Sequence, residues 1–335
     1  MKTSLKILFI ALCCILGPQA YGLKSVNLKL LNHAKNVPDS LTNSIEELTE
    51  YLIEASSNEF EKAEVICYWI AENIAYDVEA YKSGRSIKNY REAFARKRGV
   101  HRTYAALFHE MCKLAGIECF IVSGYAKGYN FDIDVVFTKA NHAWNVVQID
   151  GLYYFVDTAW GSGKVEMDGD RLDYLKVMSL SEMLTREDDF LDSHLPIDPR
   201  WQLRESILPM DDFIHPKDSS EAALFAGYYN YRDSIAHFTK LSEDERITLT
   251  FESADRFYRT NDNLTNLGHH LFNRARKRSL GKVRRPELEE SSKLYRRAIA
   301  VYEKLKESDR KISIWIDRAY EGLQYNQYYL NRMRK

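Results

Sequence analysis

The chain has 335 residues, and its 47 lysines and arginines nearly balance its 48 aspartates and glutamates, giving a net charge of -1. A hydrophobic content of 45% with only 7 prolines and 15 glycines excludes a collagen-like chain, a disordered chain and a polytopic membrane protein. The small net charge argues against binding of nucleic acid by phosphate neutralisation, so no nucleic-acid partner is expected. The length allows roughly two domains, each with its own core.

The first 22 residues have the three-part pattern of a secretory signal peptide. A basic start is followed by the apolar run Ile7–Leu16 and by the Gly17-Pro18 break, after which small residues offer a cleavage site. The run is too short to cross a bilayer as a helix, because about 20 apolar residues are needed. We therefore predict a signal peptide at residues 1–22, a secreted or periplasmic mature protein, and no membrane span after cleavage. An uncleaved anchor is the alternative.

Removal of the signal peptide would leave three cysteines, Cys67, Cys112 and Cys119. An odd number cannot all pair within one chain, and their spacing fits no zinc pattern. We expect them to be core residues, and one disulfide among them is possible but not required.

The first half of the mature chain changes from helical to strand periodicity. Helices are predicted over residues 40–54, 60–74 and 102–115, and strands over residues 118–125, 143–149 and 152–156. Gly116 is placed to end the third helix, and Asp150-Gly151 is a typical hairpin turn between the last two strands. Residues 81–98 are polar and interrupted, which predicts a loop with a short helix. A helix followed by antiparallel strands predicts an α+β fold.

The second half is predicted to be helical. Residues 184–216 contain four prolines and form a predicted connector, and helical spacing follows from Glu221, with Pro286 in the first turn of one helix. Short matches to tetratricopeptide helices occur without a clear repeat period, so a repeat-like character stays open. We predict a signal peptide at 1–22, an α+β domain with N-terminal helices at 23–205, and an all-α C-terminal domain at 206–335.

Three short segments carry the side chains of a candidate catalytic site. His101 opens a predicted helix, His142 opens a strand, and Asp157 ends the next strand. Enzymes that transfer acyl groups through a thiol place the nucleophile at a helix N-terminus, where the helix dipole lowers the thiol pKa. A histidine on a neighbouring strand acts as the base, and an aspartate orients it. His142 and Asp157 are 15 residues apart across the predicted hairpin, which allows both side chains to share one face.

These segments resemble the motifs of the transglutaminase-like superfamily, which is related in architecture to papain-type cysteine proteases. The resemblance rests on Gly99-Val100-His101-Arg102-Thr103-Tyr104-Ala105, His142-Ala143-Trp144 and Asp157-Thr158-Ala159-Trp160. Downstream, Leu195-Pro196 and Trp201-Gln202-Leu203 are similar to the kyphoscoliosis-peptidase-like branch. The resemblance spans roughly residues 60–205. It implies helices packed on an antiparallel sheet and a triad of cysteine, histidine and aspartate.

The chain departs from the family pattern at one position, because His101 stands where the family has its catalytic cysteine. An imidazole has no thiolate and cannot form the stable thioester that this acyl transfer requires. None of the three cysteines is a credible replacement; Cys112 would lie about 16 Å further along the same helix. We therefore expect His101, His142 and Asp157 to be a vestigial triad.

Three aromatic residues next to these motifs are candidates for lining a peptide groove: Tyr104, Trp144 and Trp160. The alternative is that they pack between the helix and the sheet. Five further histidines are expected at surface or capping positions: His109, His194, His215, His269 and His270.

These observations favour a secreted protein that has lost cysteine-type acyl transfer and binds a protein or peptide partner, with no cofactor and no metal. One alternative is an active transglutaminase or cysteine peptidase that acts on protein or peptide amides. Another is a metal-dependent hydrolase with His101 and His142 as ligands and Asp157 orienting His142. Two histidines are too few for a closed zinc site, which weighs against the last alternative.

Overall fold

The computed structural model describes residues 25–84, 89–169, 171–186, 189–216, 228–280 and 284–333. The predicted signal peptide at residues 1–22 lies outside these ranges, as does the start of the helical region predicted from Glu221. Within the described ranges, every helix is too short or too polar to cross a membrane.

Three helices form the first layer of the fold: α1 Leu28–Lys35, α2 Ile45–Glu54 and α3 Glu59–Asn73. Each begins where a side-chain oxygen accepts a hydrogen bond from an amide of the first turn, at Asn27, Ser44 and Asn58. The apolar face predicted for α3 is only part of its buried surface, because all residues from Ala63 to Ala71 are buried. α3 therefore lies inside the largest hydrophobic cluster of the described chain.

The segment between α3 and the site helix is more regular than predicted. The strands β1 Ala75–Tyr76 and β2 Arg98–Gly99 form a short parallel pair, with α4 Val78–Ser83 and α5 Tyr90–Arg96 between them. The site helix follows directly as α6 His101–Leu114. A Cβ at Gly99 would collide with Oγ1 of Thr103 in the first turn of α6, so only glycine fits here.

The strands that follow are β3 Glu118–Ala126, β4 His142–Ile149, β5 Leu152–Val156, β6 Lys164–Asp168, β7 Arg171–Leu175 and β8 His194–Pro196, with the short helix α7 Thr158–Gly161 after β5. Four of them form one antiparallel sheet in the order β5-β4-β3-β8, while β6 and β7 form a separate hairpin. α6 packs against β3 and β4. This arrangement confirms the predicted α+β fold.

The register of the sheet fixes the position of the site. Gly124 pairs with His142, and Asn145 pairs with Val156, so the start of β4 lies next to the end of β5. On its other side, Gly124 pairs with β8. A Cβ on Gly124 would collide with the ring of Trp144 and the carbonyl of Leu195, so this crossing of strands requires glycine.

The proline-bearing segment predicted as a connector is part of the folded core. It contains α8 Phe190–Ser193, β8, a 3-10 turn at Pro199–Gln202 and α9 Met210–Ile214. The ion pair between Asp198 and Arg200, with a closest distance of 2.8 Å, is buried within it. Because β8 hydrogen-bonds to β3, this segment completes the sheet and is not a linker.

The C-terminal helices are α10 Tyr231–Phe238, α11 Glu243–Phe257, α12 Asn261–Ser279, α13 Arg285–Glu303 and α14 Ile312–Arg332. The last three pack around a hydrophobic cluster of their own, which confirms a helical C-terminal region. α10 packs on the sheet instead, where Ile235 and Phe238 share a cluster with Phe120 and Trp144. Buried contacts thus cross residue 206, and the division of the chain there stays a prediction.

Candidate functional site

His142 and Asp157 meet at one end of the sheet. His142 is the first residue of β4 and Asp157 directly follows β5, so the hairpin places the two side by side. Nε2 of His142 lies 2.6 Å from Oδ2 of Asp157. Both side chains are buried, with 7% and 1% of their surfaces exposed. A buried pair of this kind holds the imidazole in one orientation.

The backbone also holds Asp157. Its Oδ1 accepts hydrogen bonds from the amides of Ala159 at 2.9 Å and Trp160 at 3.1 Å, which caps α7. Burial by itself raises the pKa of this carboxyl, but the imidazoles of His142 and His194 outweigh burial and hold the pKa well below its usual range. Asp157 is therefore ionised, and it places a fixed negative charge beneath the site.

His194 is a third member of this cluster that the sequence analysis missed. The prediction of a surface or capping position was wrong, because His194 is fully buried in β8. Its Nε2 lies 3.2 Å from Oδ2 of Asp157, the same oxygen that contacts His142. This contact depends on the pairing of β8 with β3, which no local spacing reveals. The one signal was its place directly before the Leu195-Pro196 motif.

The contacts of His194 define which of its ring nitrogens carries the proton. Burial lowers the pKa of His194, so the ring is neutral at pH 7. Because an ionised carboxylate only accepts hydrogen bonds, Nε2 carries the proton and donates to Asp157. Nδ1 then accepts a hydrogen bond from the hydroxyl of Ser193 at 2.8 Å. The side chains of Ser193, His194 and Asp157 thus form one hydrogen-bonded chain.

His101 lies opposite His142 at the first position of α6, with the two ring centroids 5.1 Å apart. Burial, followed by the neighbouring His142, lowers the pKa of His101 to about 3. Nδ1 of His101 lies 3.2 Å from the hydroxyl of Tyr76, whose pKa is raised by burial. The phenol of Tyr76 therefore stays protonated, and it is hydrogen-bonded to Nδ1 of the neutral His101 ring.

The remaining histidines lie away from this cluster. His215 is exposed at the end of α9, as predicted. His109, His269 and His270 are partly buried among helices; for example, Nδ1 of His269 is 2.7 Å from the hydroxyl of Tyr302. They are packing residues and not exposed surface positions.

Among the described residues, His142, Asp157 and His194 form the one cluster with three potential metal ligands. A tetrahedral zinc ion about 2.0–2.1 Å from each donor would separate the donor atoms by about 3.3 Å. The observed separations from Oδ2 to the two Nε2 atoms are 2.6 and 3.2 Å, which are typical of direct hydrogen bonds. The ligand pair of His101 and His142 considered from the sequence is not favoured either, because His101 belongs to no cluster of three potential ligands among the described residues.

A cleft of about 530 Å³ opens over His101 and His142. Of the three aromatic residues predicted to line a groove, Trp160 lines this cleft, with its ring centroid 5.3 Å from that of His142. Further lining residues are Tyr76, Tyr81, Tyr129, Tyr174 and Glu182.

The other two predicted lining residues do not reach the cleft. Tyr104 is 1% exposed and donates a hydrogen bond from its hydroxyl to the carbonyl of Ile74 at 2.8 Å. Trp144 is fully buried, with its ring centroid 5.1 Å from that of His194. The prediction was wrong for Trp144 because α8 and the start of β8 cover the side of the sheet on which its ring lies.

The three cysteines of the described chain are free and buried, and none of them lines the cleft. Burial raises the pKa of Cys112, which keeps it a thiol. Burial also raises the pKa of Cys119, but hydrogen bonds from Cys112 and His109 outweigh it and lower the pKa to about 7. Nδ2 of Asn145 lies 3.5 Å from Sγ of Cys119, which places this thiol in the packed layer between β3 and α6.

Residues 46–158 match the family model of the transglutaminase-like superfamily. This part of the chain is a transglutaminase-like domain. The domain contains His101 and His142 and ends one residue after Asp157, so His194 lies beyond the matched segment. The helices and the antiparallel sheet described above are those that the resemblance implied.

Two similar proteins are kyphoscoliosis peptidases. The one from Mus musculus is 32% identical over 172 residues, which cover 49% of this chain and 25% of the mouse protein. The one from Homo sapiens is 32% identical over 167 residues, which cover 48% of this chain and 24% of the human protein. Hillarin from Drosophila melanogaster is 26% identical over 125 residues, covering 33% of this chain and 15% of hillarin. The chain thus spans a quarter or less of the length of these relatives.

Solved structures with detectable similarity are more distant. A chain described as a TGase shares 15% identity with a TM-score of 0.29. The aligned region covers 50% of this chain and 40% of the TGase chain. A putative cysteine protease from Cytophaga hutchinsonii shares 20% identity with a TM-score of 0.26. The aligned region covers 41% of this chain and 43% of the protease chain. The assignment of the transglutaminase-like domain rests on the family match and on the kyphoscoliosis peptidases.

Proposed function

We propose that this protein binds a protein or peptide partner in the cleft over His142 and has lost cysteine-type acyl transfer. The observation that carries the proposal is the state of His101 at the first position of α6. In a working site this position holds a nucleophile, within reach of the base. Here it holds a neutral imidazole 5.1 Å from the ring of His142.

The hydrogen bonds of His101 argue against a nucleophilic role for the imidazole itself. Nδ1 of the ring is engaged in a hydrogen bond with the hydroxyl of Tyr76. Attack on an acyl group through Nδ1 would require the ring to give up this bond. The base of the original arrangement is retained, since Asp157 still orients His142, but it has no thiol beside it.

The alternatives receive less support. An active cysteine enzyme would need one of the three free cysteines, and all three are buried outside the cleft. A metal-dependent hydrolase would need an open ligand set, and the three candidate ligands of the described chain are joined by hydrogen bonds through Asp157. Secretion is also part of the proposal; it rests on the pattern of residues 1–22, and Edman sequencing of exported protein should show a start near Tyr21 or Leu23.

The loss of acyl transfer is tested directly on the purified chain. We expect no transfer of a fluorescent primary amine onto a glutamine-containing peptide, and no hydrolysis of casein, above the rate of a buffer blank. Turnover that disappears in His142→Ala while His101 is untouched would contradict the proposal, because it would show that the retained base serves another nucleophile.

Binding in the cleft is tested by selecting peptides from a random display library on the immobilised chain. Gly128 lines the cleft, and a Cβ added there meets no atom within 4 Å, so Gly128→Trp has room for its ring while Gly128→Ala adds one methyl group. Selected peptides should bind Gly128→Ala as they bind the wild type and lose at least tenfold affinity for Gly128→Trp. Peptides that bind both variants equally, or a selection that enriches none, would refute a binding cleft.

A further inference from the structure

Some polar side chains of the cleft are already engaged with the protein. The amide group of Asn141 bonds to both the amide and the carbonyl of Ala126, at 2.7 and 2.9 Å. The hydroxyl of Tyr174 donates to the carbonyl of Ser162 at 2.8 Å. Asn141 and Tyr174 therefore have hydrogen-bond partners within the protein.

Glu182 is the one acidic residue among those that line the cleft. Its carboxyl lines the cleft, and its one hydrogen bond among the described residues comes from the hydroxyl of its neighbour Ser181, at 3.2 Å. No lysine or arginine of the described chain lies within ion-pair distance of it. Burial, followed by the charge of Asp157, raises the pKa of Glu182 to about 7, which is the behaviour of a carboxyl without a cation beside it.

The two lysines of the cleft do not supply that cation. Nζ of Lys127 lies over the rings of Phe131 and Phe213, at 5.2 and 4.5 Å from their centroids. Nζ of Lys164 pairs with Glu166 at 2.7 Å. The charges of both lysines are thus occupied away from Glu182.

Aromatic rings make up much of the remaining wall. Tyr76, Tyr81 and Tyr174 lie within ring-contact distance, with centroid separations of 6.0 Å for the first pair and 6.3 Å between Tyr76 and Tyr174. Trp160 and Tyr129 line the same cleft. Rings of this type attract cations through their electron-rich faces, and the attraction is largest for weakly hydrated alkylammonium groups.

We propose that this cleft binds an alkylated ammonium group, with the aromatic rings around the methyl groups and the carboxylate of Glu182 against the charge. The inference rests on the proposed binding function and names the chemistry that the cleft recognises. A primary ammonium or a guanidinium fits less well, because each needs several hydrogen-bond acceptors and Glu182 is the one carboxylate that lines the cleft. A methylated ammonium group needs no hydrogen-bond acceptor, and each ring that it contacts adds cation–π attraction.

The charge balance of the site favours the same ligand. The ring of His101 is neutral, and Asp157 is ionised beneath the cleft. With Glu182 ionised by a bound cation, the site carries the charges of Glu182 and Asp157, while Lys127 lies over aromatic rings and Lys164 pairs with Glu166. An anionic ligand such as a peptide carboxylate would meet both charges, and this repulsion makes the cleft selective.

The test compares ligands of equal shape that differ in charge. Choline and its neutral carbon analogue 3,3-dimethylbutan-1-ol form one pair. A peptide with trimethyllysine and the same peptide with the tert-butyl analogue of that side chain form the other. We expect calorimetry on the full chain to show at least tenfold tighter binding of the charged member in at least one pair. Tight binding of choline would identify a small-molecule ligand, and binding of the peptide alone would identify a modified side chain.

Two variants test whether the carboxyl of Glu182 causes the preference for the charged ligand. Glu182→Gln should remove the preference for the charged ligand, whereas Glu307→Gln, at an exposed position outside the cleft lining, should retain it within about twofold. Equal binding of charged and neutral ligands by the wild type would overturn the inference and leave a binding cleft intact. Tighter binding of an unmethylated lysine peptide than of the trimethylated one would also overturn it. Failure of the displayed-peptide selection as well would remove the proposed function itself.

Discussion

Nε2 of His194 donates to Oδ2 of Asp157 over 3.2 Å, although the two residues are 37 positions apart in the chain. With His142 on the same oxygen and two backbone amides on the other, the buried carboxylate has four hydrogen-bond donors. Such a group is costly to leave partly unpaired. The persistence of the pair of His142 and Asp157 without a cysteine therefore has a structural explanation: the carboxylate and its imidazoles join β4, β5 and β8.

His194→Ala should lower the free energy of unfolding by about 2–4 kcal/mol, because it leaves a cavity and removes one donor from the buried carboxylate. Urea unfolding at pH 7 measures the effect. His215→Ala is the matched control, because His215 is exposed, and it should stay within about 0.5 kcal/mol of the wild type. Equal effects of the two substitutions would show that His194 does not hold the site together.

Acid should destabilise the protein partly through His101. Its pKa is about 3 in the folded chain against 6.5 in the unfolded one, so only the unfolded chain takes up this proton between those values. Stability is therefore lost as pH falls below 6.5. His101→Gln should lose less stability than the wild type between pH 7 and pH 4, by up to roughly 3 kcal/mol. The same loss in both proteins would mean that the ring titrates normally.

The carboxyl of Glu182 should lower the stability of the folded chain as pH rises, which is opposite to the effect of His101. Its pKa is about 7 in the folded chain and 4.5 in the unfolded one, so it lowers stability progressively as pH rises from 4.5 to 7. The groups that face it are Asp157, Ser181 and His142. Glu182→Gln should therefore stabilise the chain more at pH 8 than at pH 4, by up to roughly 3 kcal/mol. Carbon NMR of the carboxyl should show a midpoint near pH 7 in the wild type; a midpoint near 4.5 would be inconsistent with burial.

His101→Cys should create an acidic thiol. The N-terminus of α6 and the nearby imidazole of His142 both favour the thiolate, and in such settings a thiol pKa falls from about 8.5 to between ~3.5 and ~7.5. The variant should react with iodoacetamide at pH 6 much faster than the wild type, whose cysteines are buried. His142→Ala in the same background should slow the reaction. A folded variant with an unreactive thiol would show that the helix start is closed to solvent.

A chain that ends at Leu203 should not fold stably. Truncation there removes Tyr231, Ile235 and Phe238, which cover Phe120 on the sheet. The exposed apolar surface predicts aggregation or loss of a cooperative thermal transition. A truncated chain with the melting temperature of the full protein would support the predicted division at residue 206 as a boundary between independent units.

The sequence by itself determined the parts of the site that are close along the chain. The hairpin around Asp150-Gly151 is local, so the alternation of its strands predicted that His142 and Asp157 meet. The helix predicted over residues 102–115 likewise corresponds to α6, which begins at His101. These features depend on periodicity and turn chemistry, which act over a few residues.

Only the tertiary structure decided which other side chains reach the site. Tyr76, Glu182 and His194 come from segments far apart in the chain, and strand pairing and burial bring them to His101 and Asp157. Trp144 shows the opposite case, since its place on β4 suggested a groove and packing by α8 covered it. The physical reason is the same in both cases: a side chain's spacing fixes the face of its own element, whereas its neighbours are fixed by how all elements share one core.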